Sequence, residues 1–355
     1  MNSNNLLEVQ NLYKYFPIRQ SMIDMLRRKP AKYVKAVDGV SFSLARGEVL
    51  AIVGESGCGK TTIARTLIGL EEQTDGEILF HGECIGAQER RLRAGLAPLE
   101  TSEIGSREHK TLPRIALKRL RQQAQMIFQD PYESLNPRST IYEIVAEPLV
   151  VHGMVRNRSE RVERVKTALE EAGLRPADDY CMRYPHELSG GQRQRVVIAA
   201  AMVLQPELLI ADEPVSMLDV SIRAEILNLL HDLRKRRGVS IVFITHDLGT
   251  VGFFADRLAV MYLGRIVESG PVKEVLTNPR HPYTKALLSV VPVPNPRLRR
   301  ERVILQGETP NAADVPNGCR FHPRCPSVMD RCRQEDPDYV QVGESHQAAC
   351  WLLYP

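Results

Sequence analysis

The stretch Gly54–Thr62, GESGCGKTT, follows the apolar run Val49–Val53 and precedes a segment rich in Ala, Leu and Ile. It matches G-x-x-x-x-G-K-[ST] in a strand–loop–helix context, and no other stretch constrains the fold as strongly. The glycines let the backbone curl so that successive N–H groups point at a nucleotide's phosphates, and a helix start behind them adds partial positive charge. Gly54, Glu55, Ser56, Gly57, Cys58, Gly59, Lys60, Thr61 and Thr62 are therefore candidate nucleotide-binding residues. Lys60 supplies a mobile charge between the β and γ phosphates. The Thr61 hydroxyl supplies a ligand for Mg²⁺, which takes oxygen ligands in near-octahedral geometry. A glycine-rich turn without a ligand does not account for an eight-position match in this setting. Alone, the loop implies an NTPase of α/β class and nothing finer.

At 355 residues the chain has room for one large domain with an appendage, or for two domains. Charged residues make up 25% and the hydrophobic set 43%, values that exclude disordered and fibrous classes. A net charge of +4 is mild and gives no argument for a nucleic-acid partner. The longest apolar run, Val196–Leu204, is far short of a membrane span, and MNSNNLLEVQ has no signal-peptide core. The expectation is a chain kept in the cytosol, which reaches a membrane only through partners.

In chain order, residues 6–16 alternate as a first strand whose aromatic end, Phe16, can stack on an adenine or pack in a core. A basic, proline-bearing loop over 17–36 leads to a strand at Ala36–Leu44. Glu77–Phe80 forms a further short strand, and residues 83–121 read as a charged surface insertion. A strand Gln125–Phe128 ends at Gln129. Helical periodicity then runs from Thr140 to Val203 and marks a helical subdomain within about 130–203. Its last helix follows Leu188-Ser189-Gly190-Gly191-Gln192, where Ser189 can cap and the glycines leave backbone N–H groups bare, a second anion site. The apolar strand before Asp212-Glu213 ends in the paired carboxylates that a Mg-nucleotide site needs: one for the metal's shell, one to polarise the attacking water. A helix spans Ala224–Arg236, and the strand Ser240–Thr245 delivers His246 to the edge where parallel α/β sheets bind ligands.

Taken together these motifs resemble the ATP-binding-cassette ATPases, with Leu188–Gln192, LSGGQ, as the discriminating one. The resemblance covers residues 6 to about 270 and implies a P-loop NTPase cassette over 1–270 with a small irregular domain over 271–355. It implies that Phe16 stacks on adenine, with Tyr15 or Tyr33 as substitutes. It implies Gln129 as the lid-loop glutamine at Mg²⁺ and the attacking water, Asp212 as the metal-side aspartate and Glu213 as the general base. Asp219 is then the dimer-crossing aspartate and His246 the γ-phosphate contact. Ser189, Gly190, Gly191 and Gln192 are the signature, closing on ATP held by a second cassette, so that two chains pair head to tail.

The tail adds a finer resemblance. NPRHPYTKALL, Asn278–Leu288, and GCRFHPRCP, Gly318–Pro326, look like the C-terminal region of oligopeptide and dipeptide importer ATPases. This implies ATP hydrolysis that energises peptide import, a similar but distinct second ATPase chain, two transmembrane permease subunits and, indirectly, a solute-binding protein. The location implied is peripheral, at the cytoplasmic face of the bacterial inner membrane. Related cassettes move nickel, opines or oligosaccharides, and others are soluble proteins acting on nucleic acid; these are the alternatives. Of seven cysteines, Cys319, Cys325, Cys332 and Cys350 fall in the last 37 residues with spacing C-x5-C-x6-C-x17-C. Such thiolates can hold Zn²⁺ or an iron–sulfur cluster, with His322 and His346 as nearby alternative ligands, or can remain four reduced thiols. The family resemblance implies a 4Fe-4S cluster.

Overall fold

The computed structural model describes residues 4–18, 32–85, 114–291, 303–305 and 307–354. Most of the expected insertion at 83–121, and part of the basic loop at 17–36, lie outside them. The chain divides into two compact units, Met1–Leu6 with Leu44–Val49 and Leu112–Thr245, and Leu7–Ser43 with Leu50–Thr111 and His246–Pro355.

The first unit holds three parallel strands in the order Ala124–Ile127, Leu208–Asp212, Ser240–Thr245. Leu208–Asp212 and Ser240–Thr245 are buried at every position. Their interiors, Leu208–Ala211 and Ile241–Ile244, therefore read as continuous apolar runs rather than alternating ones, as strands covered on two faces do. The helical part contains Ile141–His152, Arg158–Glu171 and Gly190–Met202, which pack on one another, and Gly190–Met202 also packs on Ala124–Ile127. Ile141–His152 starts with a full capping box, in which Glu143 N–H reaches Thr140 Oγ1 at 3.3 Å and Thr140 N–H reaches Glu143 Oε2 at 2.8 Å. Such a cap stabilises a helix by about 1 kcal/mol. Its other end is a left-handed Gly153, φ 66°.

In the second unit, Asn5–Pro17 pairs antiparallel with Asp75–Phe80, which turns back into Glu83–Cys84. The phosphate-loop strand Val49–Val53 pairs in parallel with Arg257–Tyr262, which pairs antiparallel with Arg265–Pro271. The tail, expected to be irregular, continues this sheet. Gln347–Ala348 pairs with Arg265–Pro271 and with Val340–Gln341. Residues beyond 271 thus share a compact unit with the phosphate loop. Their core is aromatic: Tyr262 meets Tyr283 at 4.7 Å between ring centres and Phe321 at 5.2 Å, both edge-on. Each such pair adds about 1 kcal/mol beyond the area it buries. Asp38, 5% exposed, pairs with Arg320 and accepts from the Tyr15 hydroxyl. Burial works against the Asp38 charge, but Tyr15, Arg320 and Arg265 outweigh it and hold the carboxyl below its usual range.

Candidate nucleotide and catalytic site

Helix Lys60–Leu67 begins directly behind the loop, so its unpaired first N–H groups face the curl. Two glycines are required by space. A Cβ on Gly54 would stand 2.2 Å from the Met261 carbonyl oxygen, and one on Gly59, at φ +108°, 2.1 Å from that of Ala36. Lys60 is only 5% exposed, and its ammonium donates to the carbonyl oxygens of Gly54 at 2.8 Å and Glu55 at 2.9 Å. Those acceptors are neutral, so anionic phosphate oxygens make stronger partners for the same three donors. Cys58 is buried; desolvation raises its thiol pKa against the pull of Lys60, which leaves a neutral packing group. Ser56 is exposed, and Thr61 and Thr62 are half-buried on the first helical turn.

Phe16 is half-exposed near the end of Asn5–Pro17, with the Lys14 ammonium 4.6 Å from its ring centre. Tyr15 is committed instead to Asp38; burial and that acceptor push its phenol pKa up. Tyr33 begins the strand Tyr33–Ala45 and is half-exposed.

In the first unit Asp212 closes its strand at 2% exposure. Glu213 then takes φ +47°, a left-handed conformation that costs a residue with a Cβ on the order of 1 kcal/mol or more. The surroundings impose it. Its N–H donates to Ile244 O at 2.9 Å, and its carbonyl oxygen accepts from the Ser216 N–H at 3.2 Å and hydroxyl at 3.0 Å. The carboxylate so aimed accepts from Gln129 Nε2 at 3.2 Å. The sequence expectation named both residues but not the backbone strain, for which residue type gives no signal.

The signature opens helix Gly190–Met202 through a reciprocal cap. Gln192 N–H reaches Ser189 Oγ at 3.3 Å, and Ser189 N–H reaches Gln192 Oε1 at 3.0 Å. Ser189 is exposed, and its hydroxyl oxygen and the Gln192 amide oxygen both serve the cap. Gly191 has a packing reason as well as a backbone one, since a Cβ there would lie 2.8 Å from Ile222 Cγ2. Exposed Asp219 precedes helix Val220–Arg237, and Arg223 ties the preceding turn by donating from Nε to Leu218 O at 2.8 Å. His246 is exposed at the end of Ser240–Thr245, and its neighbour Asp247 caps Leu248–Phe254 through Gly249 N–H at 2.8 Å. The phosphate loop, Phe16 and His246 belong to the second unit; Gln129, Asp212, Glu213, Asp219 and the signature belong to the first.

The four clustered cysteines are free and influence one another electrostatically. Burial, then the neighbouring Cys332, Cys350 and Cys325, pushes the Cys319 thiol up to about 11, with the Phe321 N–H opposing. Cys319 N–H also donates to Cys332 O at 2.9 Å. Among the described residues, however, no three Cys, His, Asp or Glu side chains stand at the spacing of a metal ion. The expectation of a closed metal site there, zinc or iron–sulfur, thus has no support from the spacing of these side chains. His346 is not a spare ligand either, because Nε2 contacts the buried Glu268 at 2.7 Å. His322 turns Nδ1 to Cys319 O at 3.0 Å.

Two family models match, "ABC transporter" over residues 37–216 and "Oligopeptide/dipeptide transporter, C-terminal region" over 267–332. The oligopeptide transport ATP-binding protein AppF of Bacillus subtilis is 46% identical, over 99% of this chain and 98% of its own. The dipeptide transport ATP-binding protein DppF of Haemophilus influenzae is 44% identical, over 98% and 97%. Among solved structures, cbiO1 of Clostridium perfringens, described as part of an ABC transporter complex, has TM-score 0.59 at 29% identity. It covers 78% of this chain and 92% of its own. A dimeric post-hydrolysis state of the cassette MJ0796 bound to ADP and Pi has TM-score 0.58 at 25% identity, over 75% and 98%.

Proposed function

This chain belongs to the ABC transporter family, in its oligopeptide/dipeptide branch, and from that premise we propose that it is the ATP-hydrolysing subunit driving a bacterial peptide importer. The observation that carries the reading is the tandem of the two family matches, 37–216 and 267–332, on a chain collinear with peptide-transport relatives. The alternatives, another solute or a nucleic-acid target, have no comparable support.

The roles follow from chemistry at each position. Gly54–Thr62 cradles the ATP phosphates, and half-exposed Phe16, rather than the committed Tyr15, offers the adenine a face. Mg²⁺, when bound, neutralises charge on the β and γ phosphates. Thr61, Asp212 and Gln129 would supply oxygen ligands to it in this proposal. Glu213 takes a proton from water as the water oxygen bonds to the γ phosphorus and the bond to ADP's β-phosphate oxygen breaks. Gln129 orients that carboxylate, a role supported by their 3.2 Å contact. Ser189, Gly190 and Gly191 serve ATP on a second, similar but distinct cassette; Asp219 crosses to that partner, and His246 meets the γ phosphate. Among the described residues no helix is long and apolar enough to cross a membrane. The location proposed is accordingly peripheral, on permease subunits at the cytoplasmic face of the inner membrane. The division proposed remains cassette chemistry in 1–270 and an extension in 271–355. Cys319, Cys325, Cys332 and Cys350 would hold a 4Fe-4S cluster in this proposal, which rests on their number and donor type and not on their spacing here.

The test is co-expression with the permease subunits and partner ATPase, and reconstitution in liposomes. Peptide uptake that depends on ATP and on this chain is expected. ATPase activity stimulated by nucleic acid, with no uptake of any peptide, would overturn the reading.

A further inference from the structure

Glu55, the second residue of the phosphate loop, is held by residues 228 to 269 positions further along the chain. Its carboxylate accepts from Arg324 Nη1 at 2.7 Å, Arg324 Nη2 at 3.2 Å and the Thr309 hydroxyl at 2.8 Å. Arg324 Nη1 also reaches Thr309 Oγ1 at 3.0 Å, which joins the three groups. The Glu55 backbone N–H donates to the Tyr283 hydroxyl at 2.9 Å. The Tyr283 ring is fully buried and wedged against Tyr262 and Phe321, so that hydroxyl has little freedom. The Tyr262 hydroxyl in turn lies beside the Arg324 guanidinium.

An exposed lysine pair would mean little here, but a guanidinium that grips one carboxylate through two nitrogens fixes direction as well as distance. Burial works against the Glu55 charge, yet Arg324, Thr309 and Lys60 hold the carboxyl below its usual range, so the grip persists near neutrality. Glu55 also matters to the loop's chemistry. Its carbonyl oxygen is one of the two that receive the Lys60 ammonium, so whatever fixes Glu55 fixes where Lys60 stands. A phosphate site gains affinity when its donors are aimed before the ligand arrives.

We propose that Arg324, Thr309 and Tyr283 are positioning residues for nucleotide binding: they clamp Glu55 by side chain and backbone and preset the phosphate loop and Lys60. The C-terminal extension then acts on ATP affinity as well as on stability. The proposal rests on the reading of Gly54–Thr62 as the phosphate site.

The experiment measures binding of a fluorescent ADP analogue with Mg²⁺ to the full chain, alongside the thermal unfolding midpoint without nucleotide. Arg324→Ala is expected to weaken binding about tenfold, and Arg324→Lys, which keeps charge but loses the fork, to fall between. In a Glu55→Ala background, Arg324→Ala should add less than about twofold, because the two residues act as one. Should Arg324→Ala not fold, Thr309→Val removes a contact at the clamp's exposed edge, with a loss of about threefold expected. A lowered midpoint with wild-type affinity would overturn the clamp, as would full additivity of the Glu55 and Arg324 losses. Wild-type protein that binds no analogue would instead overturn the phosphate-site reading beneath it, so the two failures are told apart by the wild-type control.

Discussion

Glu213 carries the sharpest chemical commitment of any single residue, because its backbone is strained for the sake of where its side chain goes. Its φ of +47° is held by hydrogen bonds from both sides, to Ile244 O and from Ser216. Strain of this kind persists only where surrounding structure over-determines it, and it concentrates at reacting groups. Glutamine at 213 preserves the shape, the backbone bonds and a polar end within reach of Gln129, and removes only the ability to take a proton. Glu213→Gln should therefore leave Mg-ATP affinity within about threefold while lowering kcat by roughly 10²–10⁴, the range typical of a lost general base. Equilibrium binding and phosphate release under single-turnover conditions measure the two separately. A variant that hydrolyses at the wild-type rate removes Glu213 from the base role.

At the scale of elements, the helix that opens at the signature shows a packing demand on a residue proposed to meet a ligand. Gly191 sits on the first turn of Gly190–Met202, where alanine would ordinarily favour helix over glycine by up to about 1 kcal/mol. The Ile222 methyl 2.8 Å from its would-be Cβ belongs to a β-branched side chain on Val220–Arg237, stiff at χ1 and unable to swing aside. Gly191→Ala should thus destabilise the fold by about 1 kcal/mol net, read as a lowered urea midpoint, with Ile222→Ala restoring part of it. If the glycine served phosphate alone, the same substitution would raise the midpoint. Element boundaries show what pattern can and cannot reveal. Val49–Val53 and Ser240–Thr245 were legible to the residue, because buried parallel strands are bounded runs of apolar side chains. Helix Arg158–Glu171 lies within the expected helical stretch, but its start is not marked in the pattern. Asn157 caps it at Ser159 N–H, 3.0 Å, through a charged turn that has no apolar periodicity. Val220–Arg237 likewise begins at once after Asp219, ahead of the expected Ala224. The two-residue strands Val340–Gln341 and Gln347–Ala348 are too short for alternation to be seen at all. The motif residues stand out in the sequence because nucleotide chemistry restricts their type; the grip on Glu55 does not, since one sequence carries no record of which distant residues meet.

At the scale of the whole molecule, the open physical question is what the cysteine-bearing tail is stabilised by. Packing supplies part of the answer: Phe321 is buried among Tyr262, Tyr283 and His281, and Arg320 pairs with Asp38. Among the described residues, the segments between these anchors contain few long helices or strands, and Cys332 and Cys350 are buried without being disulfide-bonded. Neutral buried thiols contribute as small apolar groups, whereas thiolates drawn onto iron would cross-link residues 319 to 350 and add metal-binding free energy to folding. The two states differ in observable ways. On the cluster reading, protein purified without oxygen should contain about four iron atoms per chain and absorb broadly in the visible, as a four-thiolate cluster does. Cys332→Ser should lose both the colour and the iron and lower the unfolding midpoint, because a serine hydroxyl is a poor iron ligand and leaves an unsatisfied polar group in a buried site. Wild-type protein that is colourless, iron-free and as stable as iron-reconstituted material would show that packing alone holds the tail. Residues 319–350 would then be a staple made of aromatic rings and ion pairs rather than of metal.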